Sequence, residues 1–450
     1  MRDLVVTAIV AALLLATLRH PVVGAYAWAW LSMMNPQKLA YGFALGIPYA
    51  QIVAITTMVM FVASRQRHAY PITPLSAVHI VFLLWMCFTS FFALNDPDVI
   101  KERVFFVAKI QIMLMVTMML IRGRRQIEIL IWVVTFSVAF YGIKGGVYTV
   151  ATGGSGRVWG PPGSMIEGNN ELAVALTMLV PMMYYLYQVN THRWIRLLLI
   201  FSMVTCTFSI LGSQSRGALL ALVAMGLVLG LKGKHPVRST LLLVSFGLVA
   251  IAFMPDSWSN RMDTIQTYQA DGSAMSRIWT WTTLWNAALD RPFVGVGFAT
   301  DSGIVFETYS PRGPEWDVFA GHRYVAHSIY FQALGEHGFP GLAIYLLLGL
   351  VMWRTAGRLA RQTRDDPEFG SWVPLLMPMV QVSLIGFAVG GAFLTLVHFD
   401  VTYYFFAIIV LTDVTFKKRL AERAEEAART ARRVSATLPP RTPLASGSQS

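Results

Sequence analysis

The segment His327-Ser328-Ile-Tyr-Phe-Gln-Ala-Leu-Gly-Glu336-His337-Gly-Phe-Pro-Gly341 places a histidine where a long polar stretch meets an apolar run. A histidine at a water–membrane boundary changes charge near neutral pH and can take a proton from a hydroxyl. His322 and His337 compete with His327 for that role, and Ser328 and Glu336 are the polar neighbours that can support it. For any single histidine the plainer role is a cap or a hydrogen-bonded structural imidazole. Three arginines stand in separate polar stretches: Arg157 in a Gly/Ser-rich loop, Arg216 in Ser213-Gln-Ser-Arg216-Gly, and Arg277 in Asp271-Gly-Ser-Ala-Met-Ser-Arg277. A planar guanidinium that never loses its charge suits a diphosphate, to which it donates bidentately. Ile278, Trp281, Trp285 and Ala288 follow at helical spacing, so Arg277 falls in a first turn whose free N–H groups already favour phosphate. An interfacial helix anchored by its tryptophans accounts for the same spacing.

Other motifs carry less. Asp96-Pro97-Asp98 has the spacing of a DxD cation site. Hard cations usually need more oxygen ligands than one such pair, and the central proline favours a turn. Neither an HExxH pattern nor paired cysteines accompany the histidines, so no metal is expected. Pro292-Phe-Val-Gly-Val-Gly-Phe298 looks superficially like a nucleotide loop, but a dinucleotide fingerprint needs a third spaced glycine between a strand and a helix. It reads as a tight turn, and no cofactor is expected. Trp279, Trp281 and Trp316 can stack on sugars or anchor the membrane interface.

The elements that must position these groups are membrane helices. Of 450 residues, 55% are hydrophobic and 13% charged, about half the charge of a soluble domain, which excludes an ordinary cytosolic enzyme and a disordered chain. The net charge of +12 could indicate a nucleic-acid binder, but in so apolar a chain it fits the Lys/Arg excess of cytoplasmic loops. Cys87 and Cys206 both lie in apolar runs, so neither a disulfide framework nor a cysteine metal site is expected. Runs near the roughly 20 residues of a spanning helix occur at 41–63, 75–94, 104–121, 127–148, 171–189, 194–212, 217–231, 239–254, 329–353, 373–394 and 401–416. Shorter runs at 4–18 and 22–34 precede them. Arg19-His20-Pro21 is a poor cleavage site, so the first run reads as retained.

Basic clusters at Arg65/Arg67, Arg122/Arg124/Arg125, His192/Arg193/Arg196, Lys232/Lys234/Arg238, Arg354–Arg364 and Lys417-Lys418-Arg419 alternate with the spans. Placing them in the cytoplasm puts the C-terminus inside and the polar stretches outside. The expectation is an all-α polytopic membrane protein of about 12 transmembrane helices. Its parts are N-terminal helices at 1–148, central helices with arginine-bearing loops at 149–254, a large outward loop with short helices at 255–328, C-terminal helices at 329–416 and a cytoplasmic tail at 417–450. From 417 to 433 the tail carries seven basic and three acidic residues, which suits an anionic inner leaflet. From 438 its Pro, Ser and Thr point to disorder.

Taken in order, Arg157…Asn169-Asn170-Glu-Leu-Ala, Ser213-Gln-Ser-Arg216-Gly-Ala-Leu, Ser273-Ala-Met-Ser-Arg277, Pro292–Phe298 and His327-Ser328…Glu336-His-Gly…Gly341 resemble the O-antigen ligase/O-antigen polymerase superfamily over 157–416. The opening Trp28-Ala-Trp-Leu-Ser-Met-Met-Asn35-Pro36 looks like an exosortase-associated O-glycosylation ligase branch. The resemblance implies a GT-C-like enzyme of the bacterial inner membrane with its active site facing the periplasm. Its partners would be an undecaprenyl-diphosphate-linked glycan, lipid A–core oligosaccharide and membrane lipid, with no nucleic acid. It places diphosphate binding on Arg216 and Arg277, less firmly on Arg157, and the base on His327, with His337 ranked lower and no metal required. A polymerase and a protein O-oligosaccharyltransferase share the donor. A lipid-linked glycan transporter is the rival from another class; the absence of paired halves and the gathering of polar residues on one side argue against it.

Overall fold

A computed structural model describes residues 1–232 and 272–437. The expected span at 239–254, the loop from 255 through Asp271 and the tail beyond 437 lie outside the described residues.

Among the described residues every regular element is helical. His20 alone separates α1 (Arg2–Arg19) from α2 (Pro21–Met34). They are followed by α3 (Tyr49–Ala63), α4 (Pro74–Ser90), α5 (Pro97–Leu120), α6 (Gly123–Ala151), α7 (Asn169–Val189), α8 (Arg193–Gly212) and α9 (Arg216–Lys232). Beyond the undescribed stretch come α10 (Gly272–Asp290), α11 (Gly303–Tyr309), α12 (Ile329–Gln362), α13 (Val373–Gly390) and α14 (Asp400–Thr437). Among the described residues six helices are long and apolar enough to cross a membrane: α5, α6, α7, α8, α12 and the segment Val373–Phe393. Tyr49–Ala63, Pro74–Ser90 and Arg216–Leu231 are shorter apolar helices. The chain is therefore an integral membrane protein by the length and composition of its helices.

The centre of the bundle is α7. Residues 172–179 are buried without a break, so this helix has no polar face and is enclosed by α6, α8, α9 and α13. Close approach is set by small residues rather than by interlocking large ones. A Cβ at Gly146 of α6 would lie 1.8 Å from the Thr205 carbonyl oxygen of α8, a spacing only glycine permits.

Local signals explain several boundaries. Thr73 and Ser76 form a capping box ahead of α4. Asp96 caps α5 by accepting from the Asp98 N–H at 2.8 Å, with Pro97 in the first helical position. The Asp-Pro-Asp pattern is thus a helix start. The apolar run at 401–416 and the charged segment after it form one unbroken helix, α14, since no glycine or proline separates them. Its apolar half is in the core, while Arg419 and Arg423 of its basic half bind the loop after α12. Arg423 Nη1 lies 2.6 Å from Asp366 Oδ2, and Arg419 Nε lies 2.9 Å from Glu368 Oε2. The hydrogen bond from Arg423 holds the Asp366 carboxyl down at about 2. Part of the tail's positive charge is therefore satisfied within the chain.

The most consequential feature is a break in α12 at Gly338, where φ is 68° and ψ −174°. Pro340 has no N–H for the Glu336 carbonyl, and the Phe339 N–H goes instead to the Pro292 carbonyl at 2.8 Å. The carbonyls released are all taken up. Gly335 accepts from Val296 N–H at 2.8 Å, Glu336 from Gly297 N–H at 3.1 Å, and His337 from the Trp85 indole at 3.0 Å. The Pro292–Phe298 segment is thus a turn, as read from sequence, and it splints the broken helix. A Cβ at Gly338 would meet Phe293 and Pro292 backbone atoms at 2.6 Å in a backbone region that disfavours side chains. Gly338→Ala is expected to lower stability by about 2 kcal/mol or more. Thermal unfolding in detergent checks this, and an unchanged midpoint would contradict the splint.

Candidate active site

Arg216 is the first residue of α9 and follows a minimal turn out of α8. The turn is built tightly. Ser213 Oγ accepts from Ser215 N–H at 3.2 Å, Ser215 Oγ accepts from Ala218 N–H at 3.2 Å, and Asn169 of α7 donates to the Ser213 carbonyl at 2.7 Å. Gln214 between them adopts φ 56°, the left-handed region that non-glycine residues seldom enter. Among the described residues α10 begins at Gly272, so Arg277 is its sixth residue and stands in the second turn, past the four free N–H groups, and not in the first turn that the spacing suggested.

Arg216 and Arg277 line the same open cleft of about 440 Å³, with Asn170, Gln214, Ser215 and Ser273 as further polar walls and Phe393 and Leu394 as an apolar one. The exposed Arg157 does not line the cleft. It reaches the rim through Gln214, to which its Nε donates at 3.4 Å. Glu171, in the first turn of α7, lies close enough to Arg277 to feel its charge.

His327 is half-buried immediately before α12, and it too has positive φ, 44°. Its N–H donates to Thr395 Oγ1 at 2.8 Å, next to the Leu394 wall of the cleft, and its Nδ1 is buried with no hydrogen-bond partner. Burial, reinforced by the nearby positive charge of Arg277, lowers its pKa to about 4. The imidazole is therefore neutral at physiological pH, with a lone pair to accept a proton. Among the described residues four non-glycine positions have positive φ, and they include Gln214, which lines the cleft, and His327, which does not line it but bonds to Thr395 beside its Leu394 wall. Backbone strain held by surrounding structure concentrates where geometry matters for function.

The remaining candidates separate cleanly. Ser328 is buried and caps α12, its Oγ accepting from Phe331 N–H at 3.5 Å. His322 is exposed and its ring stacks on Tyr324. His337 and Glu336 are enclosed beside the Gly338 break and line a different place from the arginine cleft. Trp279 is buried against Phe306 and Phe319, so it is not available to stack on a sugar. Trp281 lies flat on Phe331 and donates to the Ala326 carbonyl at 2.8 Å, which holds the residue before His327. Trp316 is half-buried beside Phe319.

Sequence reasoning passed over Phe393, Leu394 and Thr395, which it read as the end of a span and a short connection. Only the abrupt Gly-Gly before Ala392 and the isolated polar Thr395 could have marked them.

Residues 201–346 match the family model described as O-Antigen ligase. The chain carries an O-antigen ligase domain. Residues 1–191 match a family of unknown function (DUF5935), and no curated protein matches the chain. The ligase-family match is narrower than the 157–416 over which the motifs run. It contains Arg216, Arg277 and His327, while Asn170 comes from the N-terminal matched region and Phe393 and Leu394 lie beyond both. The cleft is therefore assembled from all three parts of the chain.

Proposed function

We propose that this protein is a GT-C-like O-antigen ligase of about twelve spans, which transfers a glycan from undecaprenyl diphosphate to a sugar hydroxyl of lipid A–core oligosaccharide on the periplasmic face of the bacterial inner membrane. The observation that carries this reading is the placement of Arg216 and Arg277 in one cleft, with a neutral His327 close enough to feel Arg277. The ligase-family match implies a lipid-linked glycan substrate in general terms. The acceptor and the sidedness rest on the motif resemblance and the positive-inside pattern.

The chemistry is a single displacement. The acceptor hydroxyl is a poor nucleophile until its proton leaves; His327 takes that proton as the oxygen bonds to the anomeric carbon. The bond from that carbon to the diphosphate oxygen breaks, and its electron pair departs with the diphosphate. Arg216 and Arg277 stabilise the charge that develops there, with Arg157 at the rim. One displacement inverts the anomeric centre. No nucleotide takes part, since the activated bond is already in the lipid donor.

A base with a pKa of about 4 is weak in the empty enzyme. Arg277 contributes to that low value, so a diphosphate bound to Arg277 offsets its charge and raises the affinity of His327 for a proton. The base strengthens when the donor arrives. This gives a pH signature. The base must be unprotonated, so activity falls as pH drops through its pKa. In kcat/KM, which reports the free enzyme, the acid limb is expected near pH 4; in kcat, which reports the complex, it is expected at higher pH. Steady-state rates across the acid range check both limbs. A kcat/KM limb near the ordinary histidine value, or coincident limbs, would contradict the role of His327.

A further inference from the structure

Apart from the cleft, Glu336, His337 and His398 bring three potential ligand atoms within 4.8 Å of one another in a fully enclosed site. Glu336 and His337 immediately precede the Gly338 break, and His398 lies on the turn before α14. From this arrangement we propose that the triad is a structural binding site for a divalent transition-metal ion of the zinc class, tying the broken α12 to the turn before α14.

The hydrogen-bond network satisfies the three groups only in part: His398 Nε2 makes a long hydrogen bond to Glu336 Oε2 at 3.4 Å, while His337 Nε2 and His398 Nδ1 are buried without a partner. Thr89 Oγ1 lies 3.1 Å from the Met86 carbonyl and 2.8 Å from His337 Nδ1, and its one proton serves one of them at a time; when it goes to Met86, the imidazole Nδ1–H is the donor to Thr89. The Nε2 of His337 is then a bare lone pair. It faces Glu336 Oε2 at 3.6 Å, has no hydrogen-bond partner and is 0% exposed. The carboxylate is fixed as an acceptor from its other side. Val397 N–H donates to Gln332 Oε1 at 3.0 Å, which turns the Gln332 amide so that its Nε2 donates to Glu336 Oε1 at 3.2 Å. In that tautomer two acceptors face one another across a buried gap of 3.6 Å, a costly arrangement that a cation between them relieves.

The distances suit an ion better than they suit hydrogen bonds. Glu336 Oε2 is 3.4 Å from His398 Nε2 and 3.6 Å from His337 Nε2. Charge-assisted hydrogen bonds run at about 2.7–2.9 Å. Two ligands of one tetrahedral zinc, with bonds of about 2.0–2.1 Å, stand roughly 3.3 Å apart. Two imidazoles and one carboxylate are a known three-ligand set for zinc-like ions, with a water molecule completing the fourth position, and Thr89 and Gln332 provide the outer hydrogen bonds that orient such ligands. The Phe298 ring packs on both histidines and helps keep bulk water out. None of the three ligands lines the arginine cleft, so the ion holds the scaffold and takes no part in glycan transfer.

The test uses the full chain purified in detergent from cells grown with either Zn²⁺ or Co²⁺. Elemental analysis is expected to find near-stoichiometric metal in the wild type and in His322→Ala, and a marked loss in Glu336→Gln and His398→Ala. The Co²⁺-grown wild type is expected to show visible d–d bands and no near-ultraviolet thiolate charge-transfer band, since neither cysteine belongs to the triad. That spectrum decides the matter even where the variants fail to fold. Wild-type protein lacking both metals, metal content unchanged in Glu336→Gln and His398→Ala, or a thiolate band in the Co²⁺ spectrum would overturn the site.

Discussion

Replacing His327 by alanine is expected to slow glycan transfer by about 100- to 10,000-fold, the usual contribution of a positioned general base. The reason is local. The side chain is neutral, Nδ1 has no competing hydrogen bond, and the backbone is held in a strained conformation between Thr395 and the cap of α12. Binding of the donor is expected to survive, because the arginines are untouched and the positive φ at 327 suits alanine little worse than histidine. Single-turnover transfer measured beside donor binding separates the two effects. A variant that binds donor and transfers at the wild-type rate would remove His327 from the chemistry.

Substituting Arg277 by alanine is the second large effect, expected to cost about 100- to 1,000-fold in kcat, comparable to the removal of one preorganised donor from a site of developing charge. Arg216→Ala is expected to act similarly. Because the leaving diphosphate gains charge as its bond breaks, kcat and kcat/KM should fall together, with KM changed less. Arg277→Lys keeps a positive charge but loses the fork, so only partial recovery is expected. Arg277→Ala carries a further consequence. It removes one cause of the low His327 pKa, so the acid limb of kcat/KM should move upward, a change that a purely structural role for Arg277 would not produce. A rise in KM at constant kcat, with the acid limb unmoved, would instead make Arg277 a simple binding residue.

How far these groups could be read from the chain depends on how local their signals are. Helix α10 follows from Ile278, Trp281, Trp285 and Ala288 at helical spacing, and that register alone puts Arg277 near the helix start. The turn at Pro292–Phe298 was legible from its glycines and proline, but its task was not. Splinting the α12 break requires that residues about forty apart exchange hydrogen bonds, and no local pattern encodes such a pairing. The same limit explains His398. In sequence it is a lone histidine in a short polar gap, sixty-two residues from Glu336. Only the fold makes it a neighbour of that carboxylate. Trp279 errs in the opposite direction, for an aromatic in a polar loop reads as exposed, yet Phe306 and Phe319 close over it to form a small core. The Asp-Pro-Asp pattern was ambiguous between cation site and turn until the Asp96 cap settled its local geometry.

The central claim is that Arg216, Arg277 and His327 act together on a lipid-linked glycan. The most direct measurement is reconstitution of the purified full chain with undecaprenyl-diphosphate glycan and lipid A–core, comparing wild type with His327→Ala and Arg277→Ala. The account predicts glycosylated lipid A–core with an inverted anomeric linkage from wild type, in the presence of EDTA, and little from either folded variant. Product bearing the retained anomer, or equal product from wild type and both variants, would contradict the mechanism. Intact donor and no product on lipid A–core, with transfer instead to a protein hydroxyl or a second lipid-linked glycan, would contradict the acceptor assigned here.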